Sequence, residues 1–257
     1  MINAKDSKNT FYILNKKENT PIVLIHGVGL NHKIWEPQIN SFNNTVLAYD
    51  ILGHGNTPLT KSQISFDDFS LQLLNLIDEL KFEKIHLVGF SIGSLIARNF
   101  AAKYNDRLKS LTLLCSIFKR TEKEREIVKV RYELTKKSKS LSKHALKRWF
   151  TEDYLEKHPK IYNKIVSMLE QNNMENFLKI YKLFVTHKDN EKFENIKTKT
   201  LVMTAEGDIG STPEMSKNLS KVIKNSKVKI IPKGKHLCSI ECSDDVNMAI
   251  KKHIQND

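Results

Sequence analysis

Glycine placement constrains this chain more than any other feature. The nine glycines stand at 27, 29, 53, 55, 89, 93, 207, 210 and 234, and none lies between 94 and 206. They fall at or just beyond the ends of short apolar runs: PIVLIH (21–26), TVLAYD (45–50), KIHLVGF (84–90), LKSLTLLCS (108–116), TLVMTA (200–205) and VKIIP (228–232). Runs this short and this rich in Val, Ile and Leu read as parallel strands buried on both faces. Glycine then supplies the tight turns that follow them. TFYILN (10–15) is a weaker, earlier strand candidate.

Helical spacing occupies the intervals. FDDFSLQLLNLIDEL (66–80) repeats its apolar residues on one face, and SLIARNFAAKY (94–104) follows Gly93. PEMSKNLSKVI (213–223) has proline in its first turn, and DDVNMAIKKHIQN (244–256) runs from acids to lysines, as a helix dipole favours. Strands alternating with helices predict an α/β fold: a mostly parallel sheet covered by helices on both faces. The stretch 117–199 differs, with no glycine, one proline and helical spacing almost throughout. It predicts three or four helices inserted as a cap over the sheet's carboxyl edge, where open α/β sheets place ligands. The expected organisation is therefore a core of 1–116 and 200–257 with a cap at 117–199.

Charge narrows the function classes. The net charge is +13, and 117–199 carries 21 Lys and Arg against 12 Asp and Glu, an excess of nine. These bases sit among acids at helical spacing, as in EKEREIVKVRYE, with no zinc-finger or RNA-binding signature. A solvated helix surface accounts for them, and a pull on anionic substrates is the sharper alternative. No nucleic-acid partner is expected. No apolar run reaches the roughly 18 residues that cross a bilayer, and MINAKDSKNTFYIL lacks the apolar stretch of a signal peptide. The expectation is a cytoplasmic protein without a membrane partner. Cys115, Cys238 and Cys242 are too few for a disulfide framework and lack zinc-site spacing. No metal constellation appears, and there is no P-loop and no G-x-G-x-x-G.

GFSIG (89–93) places a serine between two glycines, after a strand and before a helix. This is the context of a nucleophile elbow, although a plain strand-to-helix turn would also satisfy the pattern. A serine hydroxyl is a weak nucleophile unless a base takes its proton and a third group orients that base. The expected chain order, serine then acid then histidine, is met by Ser91, Asp208 just past TLVMTA, and His236 in the loop after VKIIP. Asp208 could instead be a turn carboxylate. Glu206 stands two residues early, and Asp244 and Asp245 read as helix-start residues. HGVG (26–29) follows a strand where hydrolases of this kind supply a second oxyanion donor, so the expected donors are the backbone N–H groups of Val28 and Ile92. His26 reads as a structural hydrogen-bonder, His54 of DILGHG as a surface or turn residue, and Trp35 as core packing.

Together HGVG, D-x-x-G-H-G, GFSIG, the acid after a late strand and the terminal GKH resemble the α/β-hydrolase superfamily over nearly the whole chain. Within it, RWFTEDY (148–154), EGDIGSTPEM (206–215) and KGKHLCSIECSDDVN (233–247) are similar to 3-oxoadipate enol-lactonase-like hydrolases. The resemblance implies a serine esterase or lactonase with Ser91 as nucleophile, His236 as base then acid and Asp208 as its orienter. It implies an acyl-serine intermediate and no cofactor. Arg148 and Trp149 match a family stretch that could face a carboxylate-bearing lactone; the alternative is a solvated base beside a cap-core aromatic. The expected partner is a small ester or lactone, anionic in the sharper reading, acted on by a monomer or homodimer. General short-chain carboxylesterase activity, C–C bond hydrolysis or perhydrolysis at the same site, and a hydrolase-fold sensor with little turnover remain open on the sequence.

Overall fold

The computed structural model describes residues 1–138 and 142–255, with the backbone alone at 142–144. Its centre is an eight-stranded sheet built from β1 (Ile2–Lys5), β2 (Phe11–Asn15), β3 (Ile22–Ile25), β4 (Val46–Tyr49), β5 (Ile85–Phe90), β6 (Leu108–Leu114), β7 (Thr200–Ala205) and β8 (Ser226–Ile231). The strand order is β1-β2-β4-β3-β5-β6-β7-β8. The first two strands join antiparallel at one edge, and the remaining pairings are parallel. Every run expected to be a strand is one. β1 was not foreseen, because INAK is too short and too exposed to show an apolar pattern.

The helices are α1 (Glu36–Ser41), α2 (Phe66–Glu79), α3 (Ile92–Lys103), α4 (Glu122–Ser138), α5 (Ser142–Trp149), α6 (Glu152–Lys157), α7 (Pro159–Glu170), α8 (Met174–Val185), α9 (Pro213–Val222), α10 (Cys238–Glu241) and α11 (Ser243–Gln255). Alternation along the strands sends residues to opposite faces. Val23, Ile25, Leu87 and Leu111 pack with α2, α3 and α9 on one side. Ile22, Leu24, Val88 and Met203 pack with α1 and α11 on the other. The chain thus has a mostly parallel sheet covered on both faces. Position 256, the last residue of the helix expected at 244–256, lies outside the described residues.

Between β6 and β7 the described residues contain five helices, α4–α8, rather than three or four. Thr151 caps α6 through Tyr154 N, Pro159 opens α7, and Asn173 caps α8 through Asn176 N. These start signals divide a stretch whose apolar spacing alone reads as fewer, longer helices. Residues 139–141 of the segment lie outside the described residues. Arg98 of α3 ties its far end to the core: the fully buried guanidinium reaches Asp189 Oδ1 and Glu191 Oε2, each at 2.8 Å.

Candidate active site

Five loops converge at the carboxyl ends of the parallel strands. After β5 the chain turns at Ser91, whose φ of 56° and ψ of −118° are unfavourable for a residue with a Cβ. Backbone crowding enforces the glycines on either side. A Cβ on Gly89 would lie 2.2 Å from Gly93 O, and one on Gly93 would lie 2.4 Å from Ile25 O. Strand, turn and helix can approach this closely only where no side chain intervenes. Ser91 N donates to Leu114 O at 2.9 Å, and Ser94 Oγ donates to Ser91 O at 2.6 Å, holding the turn from both sides.

The loops after β7 and β8 bring Asp208 and His236 to this serine. His236 Nε2 lies 3.1 Å from Ser91 Oγ, and His236 Nδ1 lies 2.6 Å from Asp208 Oδ2. Asp208 is 3% exposed, and its Oδ1 accepts from Gly210 N at 2.8 Å and Ser211 N at 2.9 Å. Burial alone would raise this carboxyl, but the histidine and the two N–H donors outweigh it and hold Asp208 below the usual carboxylate range. Burial opposes protonation of His236, yet the charge and hydrogen bond of Asp208 dominate and hold the imidazole above its ordinary 6.5. Chemically, Nδ1–H faces a fixed carboxylate, and Nε2 is left to accept the serine proton. Glu206, the rival acid, is exposed.

HGVG forms a turn in which Leu30 N donates to Gly27 O at 3.2 Å and Gly29 takes φ +77°. Val28 lines the cavity in front of Ser91, and Ile92 is the first residue of α3. Among the described residues neither of these N–H groups donates to another group, so both remain available to a developing oxyanion. The turn is braced from behind: Gly29 N donates to His54 Nε2 at 2.8 Å, and Ile51 N donates to His26 Nε2 at 3.0 Å. Complete burial lowers His54 to about 3 and His26 to about 4, so both stay neutral and can accept. His54 stands in a turn, as one of the two expected alternatives had it, but it is buried rather than at the surface, and that turn braces the HGVG loop. His26 hydrogen-bonds structurally, and Trp35 is buried against Phe90.

Above the serine is a cavity of about 1010 Å³, lined from the core by Val28, Ser91 and His236 and from the inserted helices by residues that include Arg148 and Trp149. Trp149 stands beside His236, with ring centroids 6.4 Å apart, and its carbonyl accepts from Leu237 N at 2.9 Å. Burial and the charge of Arg131 both lower Arg148. The sequence reading missed Glu241, which accepts from Thr151 N at 3.0 Å and Lys235 N at 3.1 Å and so ties the α5–α6 junction to the histidine loop. It also missed the placement of Cys115, a buried residue whose thiol contacts His236 O at 3.2 Å. Neither carries a sequence signal, because both act through the tertiary approach of distant loops.

The family described as alpha/beta hydrolase fold matches residues 20–133. An Acinetobacter baylyi protein named (E)-2-((N-methylformamido)methylene)succinate hydrolase is 28% identical over 97% of this chain and 95% of its own length. 3-oxoadipate enol-lactonase 1 of the same organism is 23% identical over 94% of this chain and 91% of its own. The solved enol-lactonase from Burkholderia xenovorans LB400 superposes with a TM-score of 0.84 at 22% identity, covering 96% of this chain and 97% of that one, and so shares its fold.

Proposed function

We propose that this chain, an α/β hydrolase by fold and superfamily, is a serine hydrolase that cleaves a small carboxylic ester or lactone through an acyl-serine intermediate. The observation that carries the reading is the continuous relay from Ser91 Oγ through His236 to Asp208, at 3.1 and 2.6 Å. The relatives' names, hydrolase and enol-lactonase, point the same way.

In the first half-reaction, neutral His236 takes the Ser91 proton at Nε2 as Oγ attacks the acyl carbon. The carbonyl oxygen becomes an oxyanion facing the N–H groups of Val28 and Ile92; one such donor typically stabilises the transition state by about 3–4 kcal/mol. His236 returns the proton to the leaving alkoxide, which departs, or in a lactone stays tethered to the acyl group. Water then attacks the acyl-serine with His236 again as base, releasing the acid and restoring Ser91. Asp208 holds the imidazole in the tautomer with its proton on Nδ1 and stabilises the imidazolium in both halves. The raised basicity of His236 assists proton removal, at the cost of a larger protonated fraction at low pH. Arg148 and Trp149, both on the cavity wall and Trp149 beside His236, are the first candidates for holding the rest of the substrate.

Initial hydrolysis rates of Ser91→Ala beside wild type, on matched neutral and carboxylate-bearing esters and lactones, test this. Loss of turnover in a folded Ser91→Ala protein is expected, and an active variant would refute the mechanism. Faster turnover of the carboxylate-bearing members would favour the enol-lactonase-like reading over a general short-chain carboxylesterase. Ligand-induced thermal stabilisation without any product would favour a sensor.

A further inference from the structure

Arg148 is not alone on the cavity wall. Arg120, ahead of α4, and Arg131, on α4, line the same cavity as Ser91 and His236, and Tyr181 of α8 joins them. Arg120 is held rigidly: Nη1 donates to Phe184 O at 2.9 Å, and its guanidinium lies over the Phe184 ring at 4.3 Å. Arg131 makes no hydrogen bond or ion pair among the described residues. Burial or neighbouring charges act on each of the three cations. Burial brings Arg120 down to about 10, burial and then Arg131 lower Arg148, and all three arginines draw down a Tyr181 hydroxyl that burial raises.

Arg131 and Arg148 repel one another on this partly desolvated wall, whereas Asp189 and Glu124 offset part of the charge of Arg120. Of the wall's two other carboxylates, Glu170 is exposed, where water screens it. Glu124 is committed to the start of α4, accepting from Thr121 N at 2.7 Å and Thr121 Oγ1 at 2.9 Å. One substrate carboxylate paired with Arg148 would leave Arg131, which has no hydrogen bond or ion pair among the described residues, facing the same cavity, which is large enough for a longer molecule.

Building on the serine-hydrolase reading, we infer that the cavity selects an ester or lactone bearing two carboxylates, held between Arg148, Arg131 and Arg120 where the three converge on Tyr181. Planar guanidinium forks suit this role, since each can pair a carboxylate through two parallel hydrogen bonds. Hydrolysis adds one water across the acyl C–O bond, so the product carries a third carboxylate, derived from the cleaved acyl group.

The test is kcat/KM on three esters with one leaving group: 4-nitrophenyl acetate, mono-4-nitrophenyl glutarate and mono-4-nitrophenyl tricarballylate, which carry none, one and two free carboxylates. The second carboxylate is expected to raise kcat/KM by about tenfold or more. Arg131→Met is expected to lower the ratio of the two-carboxylate to the one-carboxylate ester by a similar factor, with Arg131→Lys recovering part of it. Taking the ratio within each variant cancels any difference in folded fraction. A second carboxylate that leaves kcat/KM unchanged or lowers it, or an Arg131→Met ratio equal to wild type, would overturn the inference while leaving the serine mechanism intact. Turnover by Ser91→Ala would instead overturn the mechanism beneath it.

Discussion

His236 is clamped by Asp208 at 2.6 Å while the far oxygen of the same carboxylate is held by two backbone N–H groups. The carboxylate therefore cannot swing away, and its charge acts on the imidazole continuously. This fixes the direction of the pH response. Only neutral His236 can accept the serine proton, and Asp208 raises the pH at which the imidazole becomes neutral above 6.5. The rate on a neutral ester is expected to fall as pH is lowered, with its half-maximal point above 6.5. A profile flat from about pH 5 to 8 would contradict this. Asp208→Asn is expected to move the half-maximal point down and to cost about 10⁴-fold in kcat, because the tautomer is no longer held.

Gly93→Ala tests the elbow. The added methyl would meet Ile25 O at 2.4 Å and His26 O at 2.6 Å, and both are backbone atoms that can yield only if the strand or helix moves. Displacing Ser91 by about 1 Å is expected to lower kcat about 10²-fold. Unchanged kcat with unchanged stability in urea would show that the close approach is dispensable.

The strain at Ser91 gives a separate expectation. With φ at 56°, a Cβ at this position is unfavourable. Ser91→Gly is therefore expected to be about 1 kcal/mol more stable than Ser91→Ala in urea unfolding, against the usual entropic penalty of glycine. Equal stability, or a less stable glycine variant, would show that the turn is not strained.

Arg98 anchors the end of the inserted segment to the helix that follows Ser91. Its guanidinium is fully buried between Asp189 and Glu191, with His187 Nε2 at 3.4 and 3.3 Å from the same two carboxylates. Arg98→Met leaves those charges buried and is expected to cost about 3–5 kcal/mol, read from denaturant unfolding. His187 adds a pH term. Burial opposes its protonation, but the two carboxylates outweigh it and raise the histidine above 6.5. Its stabilisation is thus complete below 6.5 and is lost as pH rises through the raised value. His187→Gln should remove that part of the pH dependence; an unchanged stability-against-pH curve in the variant would contradict it.

The features legible in the sequence are those carried by local pattern. Apolar runs located seven of the eight strands, five of them closed by glycine, and GFSIG, EGD and GKH led to Ser91, Asp208 and His236, because strand ends deliver those loops to one edge of a parallel sheet. What was not legible depends on contacts between distant segments. His54 reads as a turn residue, which it is, but nothing in the sequence shows that it is buried and accepts from Gly29, and nothing near Arg98 announces Asp189 and Glu191. The five-helix division of the insertion is set by caps at Thr151 and Asn173, which apolar spacing does not register. Arg131 and Arg120 looked like members of a solvated basic surface; only the packing of α4, α5 and α8 brings them into the cavity with Ser91.

Whether Ser91 is the nucleophile is tested most directly by the intact mass and peptide map of the protein after reaction with a fluorophosphonate, followed in parallel with ester turnover. One phosphonyl group per chain is expected, located on Ser91, with activity lost in proportion to labelling. Full ester turnover in a completely labelled protein, or a label that maps elsewhere, would contradict it.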